Sequence, residues 1–254
     1  MALLEGNLFS AVLGRQVSYT VVMPHDVCEE PAWGYPVLYL LHARGDDRHS
    51  WLTRSNIERY ASERGIVVVM PDCGSGIYCD AKFGEKQLTF IIEELPEKLG
   101  RMLRLSYTRE NTFIGGVSMG GYGAIKCALL SPERFSGCIA ISPVTEISAY
   151  VQYTADRGEL PMWQGVFGND LAIPRDDDLY ILADNISSFI HISPKIYLAC
   201  GKKDELYAQN IRFKNHLDSR HVDFTFEQAQ ADHEWSFWDV AIQYGMNAII
   251  PSAR

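Results

Sequence analysis

The residues of this chain best suited to chemistry lie in Gly116-Val117-Ser118-Met119-Gly120, a GxSxG pattern continued by Gly121-Tyr122-Gly123-Ala124. An apolar run, Thr112-Phe113-Ile114, precedes it, and a helix-forming run, Ala124-Ile125-Lys126-Cys127-Ala128-Leu129-Leu130, follows. Strand, sharp turn and helix are what this pattern needs to present a serine hydroxyl as a nucleophile. A serine in such a turn has strained backbone angles, and glycines two residues to either side remove Cβ atoms where strand and helix nearly touch. A phosphate-binding turn would carry GxxxxGK[ST] or GxGxxG, and neither occurs. Ser118 is therefore read as a nucleophile rather than as a residue that merely turns the chain.

A serine hydroxyl is a poor nucleophile near neutral pH, so it needs a histidine base, and the histidine needs a carboxylate to fix its tautomer and stabilise its charged form. Behind a GxSxG turn these partners follow in the order serine, acid, histidine. Of seven histidines, His221 and His233 lie latest. His221 directly precedes a strand beginning at Val222, at the edge away from the carboxyl ends, whereas His233 follows that strand, in the loop before a closing helix. His233 is the expected base. The loop Gly201-Lys202-Lys203-Asp204-Glu205-Leu206 offers two carboxylates, and Asp204, the earlier and of the commoner type, is preferred to Glu205. Asp232 adjoins the histidine and reads as a helix N-cap. A developing oxyanion needs backbone donors: the amide of Met119, and one from the loop His42-Ala43-Arg44-Gly45-Asp46-Asp47. His42 precedes the acid in the chain and reads as a buried, hydrogen-bonded neighbour of that loop.

These side chains require a scaffold that gathers distant loops on one face. Short apolar runs alternate with helical patterns, the signature of a mostly parallel sheet with crossover helices, an α/β fold. Leu8 to Leu13 and Gln16 to Met23 suggest an opening hairpin around Gly14-Arg15. Val37 to Leu41, Ile66 to Met70, the run at Thr112, Gly137 to Ile141, Lys195 to Cys200 and Val222 to Phe226 suggest further strands. Helices are expected over Ser55 to Ser62, Gln87 to Leu105 with a kink at Pro96, Asn210 to Leu217 and Trp235 to Ile250. The stretch from about 143 to 194 is too long for a simple crossover and is rich in aromatics, so it reads as a lid or cap over the carboxyl ends of the strands. Its Asp176-Asp177-Asp178 run reads as helix capping before Leu179.

Composition limits the function classes. With 254 residues, 47% hydrophobic, one α/β-hydrolase-sized domain spanning 1-254 is expected. Net charge is −9 with no basic cluster, which disfavours nucleic acid and points to a small, neutral substrate. No segment reaches 18 uninterrupted apolar residues and the N-terminus lacks a signal-peptide pattern, so the chain reads as cytoplasmic, with no membrane partner. Six cysteines, Cys28, Cys73, Cys79, Cys127, Cys138 and Cys200, read as free thiols, although Cys73 and Cys79 flank one glycine-rich loop and could meet there. No metal or organic cofactor is implied, and a homo-oligomer stays open.

Together these residues resemble the esterase D family of α/β-hydrolases, which includes S-formylglutathione hydrolases, feruloyl esterases and mycolyltransferases. Within it the chain looks most like the bacterial tributyrin esterases. The resemblance runs through VLYLLHARGDDRHSW from Val37, VVVMPD from Val67, Glu94-Leu95-Pro96, FIGGVSMGGYGA from Phe113, WQGVFG from Trp163, CGKKDELY from Cys200 and DHEWSFW from Asp232. It implies Ser118 as nucleophile, Asp204 as acid and His233 as base, with oxyanion amides from Met119 and Arg44. The implied activity is a serine carboxylesterase acting on short-chain acyl esters, with thioesterase, feruloyl esterase and acetyl-sugar esterase as alternatives. A noncatalytic binding protein on the same fold would have lost one of the three residues. The family usually has His-Gly where this chain has His42-Ala43, which strains the loop if that position needs left-handed backbone angles.

Overall fold

A computed structural model describes residues 1–24, 32–74, 77–188 and 190–251. Cys28, Ser75 and Gly76 lie outside the described residues. Eight strands among the described residues form one sheet in the order β1-β2-β4-β3-β5-β6-β7-β8. They are β1 (Ala2–Ser10), β2 (Arg15–Met23), β3 (Val37–Leu41), β4 (Val67–Pro71), β5 (Thr112–Val117), β6 (Gly137–Ile141), β7 (Lys195–Gly201) and β8 (Phe224–Ala229). β1 and β2 pair antiparallel, β2 meets β4 antiparallel, and all remaining neighbours run parallel. The sheet direction of the chain reverses at β3, which lies between β4 and β5, and open α/β sheets bind ligands outside such a switch point.

Both faces of the sheet are covered, so its central strands are apolar without alternation and divide their side chains between two cores. Val37, Tyr39, Leu41, Val67 and Val69 point to one core, together with Tyr122, Ile125 and Trp163. Leu38, Leu40, Val68 and Met70 point to the other, against Trp51, Ile57, Trp238 and Ile242. The second core is closed by α1 (Ser50–Arg54), α2 (Ile57–Arg64) and α10 (Trp235–Ile249). The first is closed by α3 (Gln87–Thr89), α4 (Leu95–Leu103), α5 (Met119–Leu130), α6 (Ile147–Thr154), α7 (Leu160–Phe167), α8 (Leu179–Ser187) and α9 (Tyr207–Ser219). This is the α/β-hydrolase fold. No helix among the described residues is long and apolar enough to cross a membrane.

Local differences from the expected elements have physical causes. The first strand covers Ala2–Ser10 rather than Leu8 to Leu13, because its exposed face alternates Leu3, Glu5, Asn7 and Phe9 and gives no continuous apolar run. Ser10 then makes the turn, accepting a 2.9 Å bond from the Leu13 amide while Gly14 takes φ +69°. The helix expected over Ser55 to Ser62 is found as α2, shifted to Ile57–Arg64, since Asp239 of α10 accepts the Asn56 amide at 2.7 Å and starts the helix there; α1 precedes it as a separate short helix. Before Pro96 the helix widens into a π-helical turn, Phe90–Glu94, where the proline's missing amide is accommodated. Strand β8 starts two residues later than expected; His221 is left-handed at φ +56°, and Val222 folds into the core instead of pairing.

The acidic run at 176–178 splits its work. Asp178 caps α8, accepting the Tyr180 amide at 2.9 Å. Asp177 is instead buried and pairs with the ammonium of Lys126 on α5, which is fully enclosed. Lys126 also donates to the Tyr78 carbonyl at 3.2 Å and approaches the Cys79 sulfur at 3.4 Å. Burial opposes its charge, but the neighbouring Cys79 and Asp177 outweigh that and hold its pKa above the usual lysine value. Cys73 and Cys79 are free and buried, as are Cys127, Cys138 and Cys200. Burial pushes the Cys79 thiol up to about 11 and the Cys127 thiol up to about 12.

Removing one partner of a buried pair strands the other charge. Lys126→Met is expected to cost about 3–5 kcal/mol of stability, read as a fall in thermal midpoint, and Lys126→Met with Asp177→Leu recovers most of it.

Candidate active site

Five adjacent parallel strands, β3, β5, β6, β7 and β8, each end at the same edge of the sheet, and each delivers one part of the site. Ser118 leaves β5 with φ +55° and ψ −117°, a conformation that L residues rarely adopt, and its carbonyl accepts the Tyr122 amide at 3.1 Å to open α5. The turn can be this tight only because of its glycines. A Cβ at Gly116 would lie 2.4 Å from the Gly120 carbonyl oxygen, and one at Gly120 would lie 2.5 Å from the His42 carbonyl oxygen. Gly120 thus lets α5 sit directly on the chain leaving β3.

The loops after β7 and β8 are joined by backbone bonds from Lys202 to the Ala229 carbonyl at 2.8 Å and from Lys203 to the Ala231 carbonyl at 3.0 Å. That joint brings Asp204 and His233 together. Asp204 Oδ2 accepts from His233 Nδ1 at 2.9 Å, and His233 Nε2 lies 3.1 Å from Ser118 Oγ. The Nδ1–H tautomer is the one that satisfies both contacts, leaving Nε2 to accept the serine proton. The Asp204 side chain is fully buried and His233 about one quarter exposed. Burial raises the Asp204 carboxyl, but hydrogen bonds from His233, from the Leu206 amide at 2.8 Å and from Ser142 outweigh it, and the pKa lies below the usual aspartate value. The group stays a carboxylate as pH falls through the ordinary range. Glu205, the other carboxylate in that loop, is exposed and lines the cavity.

His42 is buried, as expected. Its Nδ1–H donates to the Ala43 carbonyl at 2.7 Å, and its Nε2 accepts the Cys73 amide at 3.1 Å. Burial lowers its pKa, which suits a neutral ring with one donor and one acceptor. The His42 carbonyl accepts from Tyr78 Oη at 2.8 Å, so the loop after β3 is held from both sides. Ala43 is not among the left-handed residues; Gly45 is, at φ +81°. The alanine therefore imposes no backbone strain, and its methyl packs into the second core. Among the described residues, neither the Met119 amide nor the Arg44 amide bonds to another backbone group, so both remain open to a ligand.

Arg44 is partly buried and paired: Nη1 donates to Glu159 Oε2 at 2.7 Å and lies 3.5 Å from Tyr150 Oη. Glu159 ends the π-helical turn Ala155–Glu159, just after Gly158 at φ +101°. A cavity of about 450 Å³ opens above the serine, lined by Arg44, Gly45, Ser118, Tyr150, Glu205, Leu206 and His233. The segment between β6 and β7 thus supplies one cavity residue, Tyr150, and restrains another through Glu159.

Three contributors escape a reading of the sequence. Trp238, one turn into α10, meets the His233 ring edge to face at 4.8 Å and donates Nε1–H to Ser142 Oγ at 3.2 Å. Ser142, at the end of β6 with φ +46°, also bonds to Asp204 and so links the tryptophan to the acid. Glu159 holds Arg44 from 115 residues away. A tryptophan five residues after the histidine was visible in DHEWSFW; nothing marked Ser142 or Glu159. Asp232 is exposed, and Glu234 occupies the N-cap of α10 without a side-chain bond, so the expected cap is absent: the backbone enters the helix from an extended residue instead.

The family model described as "Putative esterase" matches residues 10–248, and the chain belongs to that family. An acetyl esterase of Caldicellulosiruptor saccharolyticus is 28% identical over 258 residues, which cover 94% of each protein. A substrate-bound fluorophosphonate-binding serine hydrolase of Staphylococcus aureus superposes with a TM-score of 0.84 at 28% identity, with 99% of each chain covered. An S-formylglutathione hydrolase of the same organism gives 0.82 at 28% identity, covering 98% of this chain and 99% of the other. The chain is a serine ester hydrolase by family and by fold.

Gly120→Ala should displace the oxyanion-side loop from α5, lowering both the thermal midpoint and turnover, the latter by more than about tenfold. Ala43→Gly should leave turnover similar, within about twofold, and cost roughly 0.4–1 kcal/mol from added chain freedom; a rise or fall beyond that would show that the methyl shapes the site.

Proposed function

We propose that this chain is a carboxylesterase that cleaves short-chain acyl esters through an acyl-enzyme on Ser118. The reading rests above all on one observation, the continuous hydrogen-bond chain from Asp204 through His233 to the strained Ser118. His233 Nε2 takes the serine proton as Oγ attacks the ester carbonyl, and returns it to the departing alcohol. Asp204 holds the ring in the required tautomer and stabilises the imidazolium without itself taking the proton. The amides of Met119 and Arg44 receive the oxyanion; each such donor is typically worth about 10²- to 10³-fold in turnover. Water then attacks the acyl-enzyme with His233 again as base, releasing acid and free serine.

A short acyl chain suits a cavity of about 450 Å³ that Ser118 shares with Leu206, Tyr150 and Gly45. The segment from 143 to 194 acts as a cap through Tyr150 and the Glu159–Arg44 contact. The free, buried cysteines and acidic charge suit a cytoplasmic enzyme.

A fluorophosphonate is expected to label Ser118 covalently, seen as a mass increase on its peptide. Folded protein that takes up no label would remove the enzymatic reading. Ser118→Ala and His233→Ala should each lower turnover of a butyrate or acetate ester by several orders of magnitude. Asp204→Asn should lower it by about 10³–10⁴-fold near neutral pH, since the amide favours the wrong tautomer.

A further inference from the structure

The charges around the cavity do not balance, and the imbalance bears on which esters enter. Two ionised side chains line it, Arg44 and Glu205. The Arg44 charge is already matched: its guanidinium donates to Glu159, which holds that carboxyl below the usual glutamate range. Glu205 is exposed, and among the described residues it has neither an ion pair nor a hydrogen bond. The preceding Asp204 is a buried carboxylate whose charge is taken up by His233 and the Leu206 amide. With Asp204 buried behind His233, the exposed carboxylate lining the cavity without an ion-pair partner among the described residues is Glu205.

Resting on the carboxylesterase reading above, we propose that Glu205 is a specificity-determining residue and that the enzyme selects esters whose leaving group is neutral or cationic over those whose leaving group is anionic. A carboxylate entering the cavity would face Glu205, and at Arg44 it would meet a guanidinium whose charge is already paired with Glu159. A quaternary or protonated amine would meet Glu205 and the ring of Tyr150, both of which favour a cation. Acting through a water-filled opening, one such charge changes the capture of a charged substrate by about two- to fivefold, and less as salt rises. Glutathione thioesters, with two carboxylates against one ammonium, fall on the disfavoured side.

Three acetates share one acyl group and carry alcohols of different charge: acetylcholine, its neutral isostere 3,3-dimethylbutyl acetate, and the anionic 4-acetoxybutanoate. Their kcat/KM values are to be measured at low and high salt, each divided by that of the neutral ester in the same protein, so that any general loss in a variant cancels. The expected order is cationic, neutral, anionic, in steps of about two- to fivefold that shrink with salt. In Glu205→Gln both steps should collapse, which separates this side chain from the field of the −9 net charge. In Glu159→Gln, with Arg44 released, the anionic ester should gain relative to the neutral one. Equal ratios in the native enzyme, or ratios unchanged in Glu205→Gln, overturn the proposal while leaving the esterase intact. No turnover of any ester together with no fluorophosphonate labelling would instead remove the esterase reading and the proposal with it.

Discussion

The left-handed backbone of Ser118 is the constraint on which the rest of this structure depends. An L residue at φ +55° is unfavourable by roughly 1–3 kcal/mol, and it persists because β5 and α5 are both fixed by burial on their own account. The turn raises the hydroxyl out of the sheet edge and at the same time directs the first amides of α5 to the same space. It also brings α5 so close to the β3 loop that only glycine fits at 116 and 120. Ser118 and the Met119 amide, the nucleophile and one oxyanion donor of the proposed mechanism, thus share one piece of strained chain, and neither can move without the other.

Around that turn the site is an outcome of strand order. Because β3, β5, β6, β7 and β8 lie side by side and parallel, their following loops stand in a row at strand spacing. Residues separated by up to 115 positions meet as a result. The row also explains why the supporting contacts cross between loops: Ser142 from β6 bonds to Asp204 from β7, and Trp238 from beyond β8 bonds back to Ser142. Such cross-loop bonds hold the acid and base in register while the helices behind them carry the burial.

How much of this was legible in the sequence depends on whether the signal was local. Ser118 was legible because the glycines, the strand and the helix that raise it are contiguous. His233 and Asp204 followed from chain order, with Asp204 preferred to Glu205 on residue type and position; the structure puts Asp204 against the histidine and Glu205 at the opening. The central strands were legible as apolar runs because both their faces are buried. Edge strands β1 and β8 were misplaced by several residues because half of each is exposed and its polar residues look like loop. Nothing along the chain marks Lys126 as buried within its helix, and only the fold shows that Asp177 reaches it in the interior. Ser142, Glu159 and the pairing of Arg44 are matters of tertiary contact, with no pattern along the chain to reveal them.

Trp238 has a further consequence. Its ring meets His233 edge to face, and a chain of indoles, Trp51 to Trp235 at 5.0 Å and Trp235 to Trp238 at 5.1 Å, extends from it into the second core. An imidazolium quenches indole emission far more strongly than a neutral imidazole does, and indoles this close share their excitation. The three tryptophans therefore form a run of indoles that ends on the base of the proposed mechanism, which makes the ultraviolet fluorescence of the unmodified protein sensitive to the charge of the His233 ring.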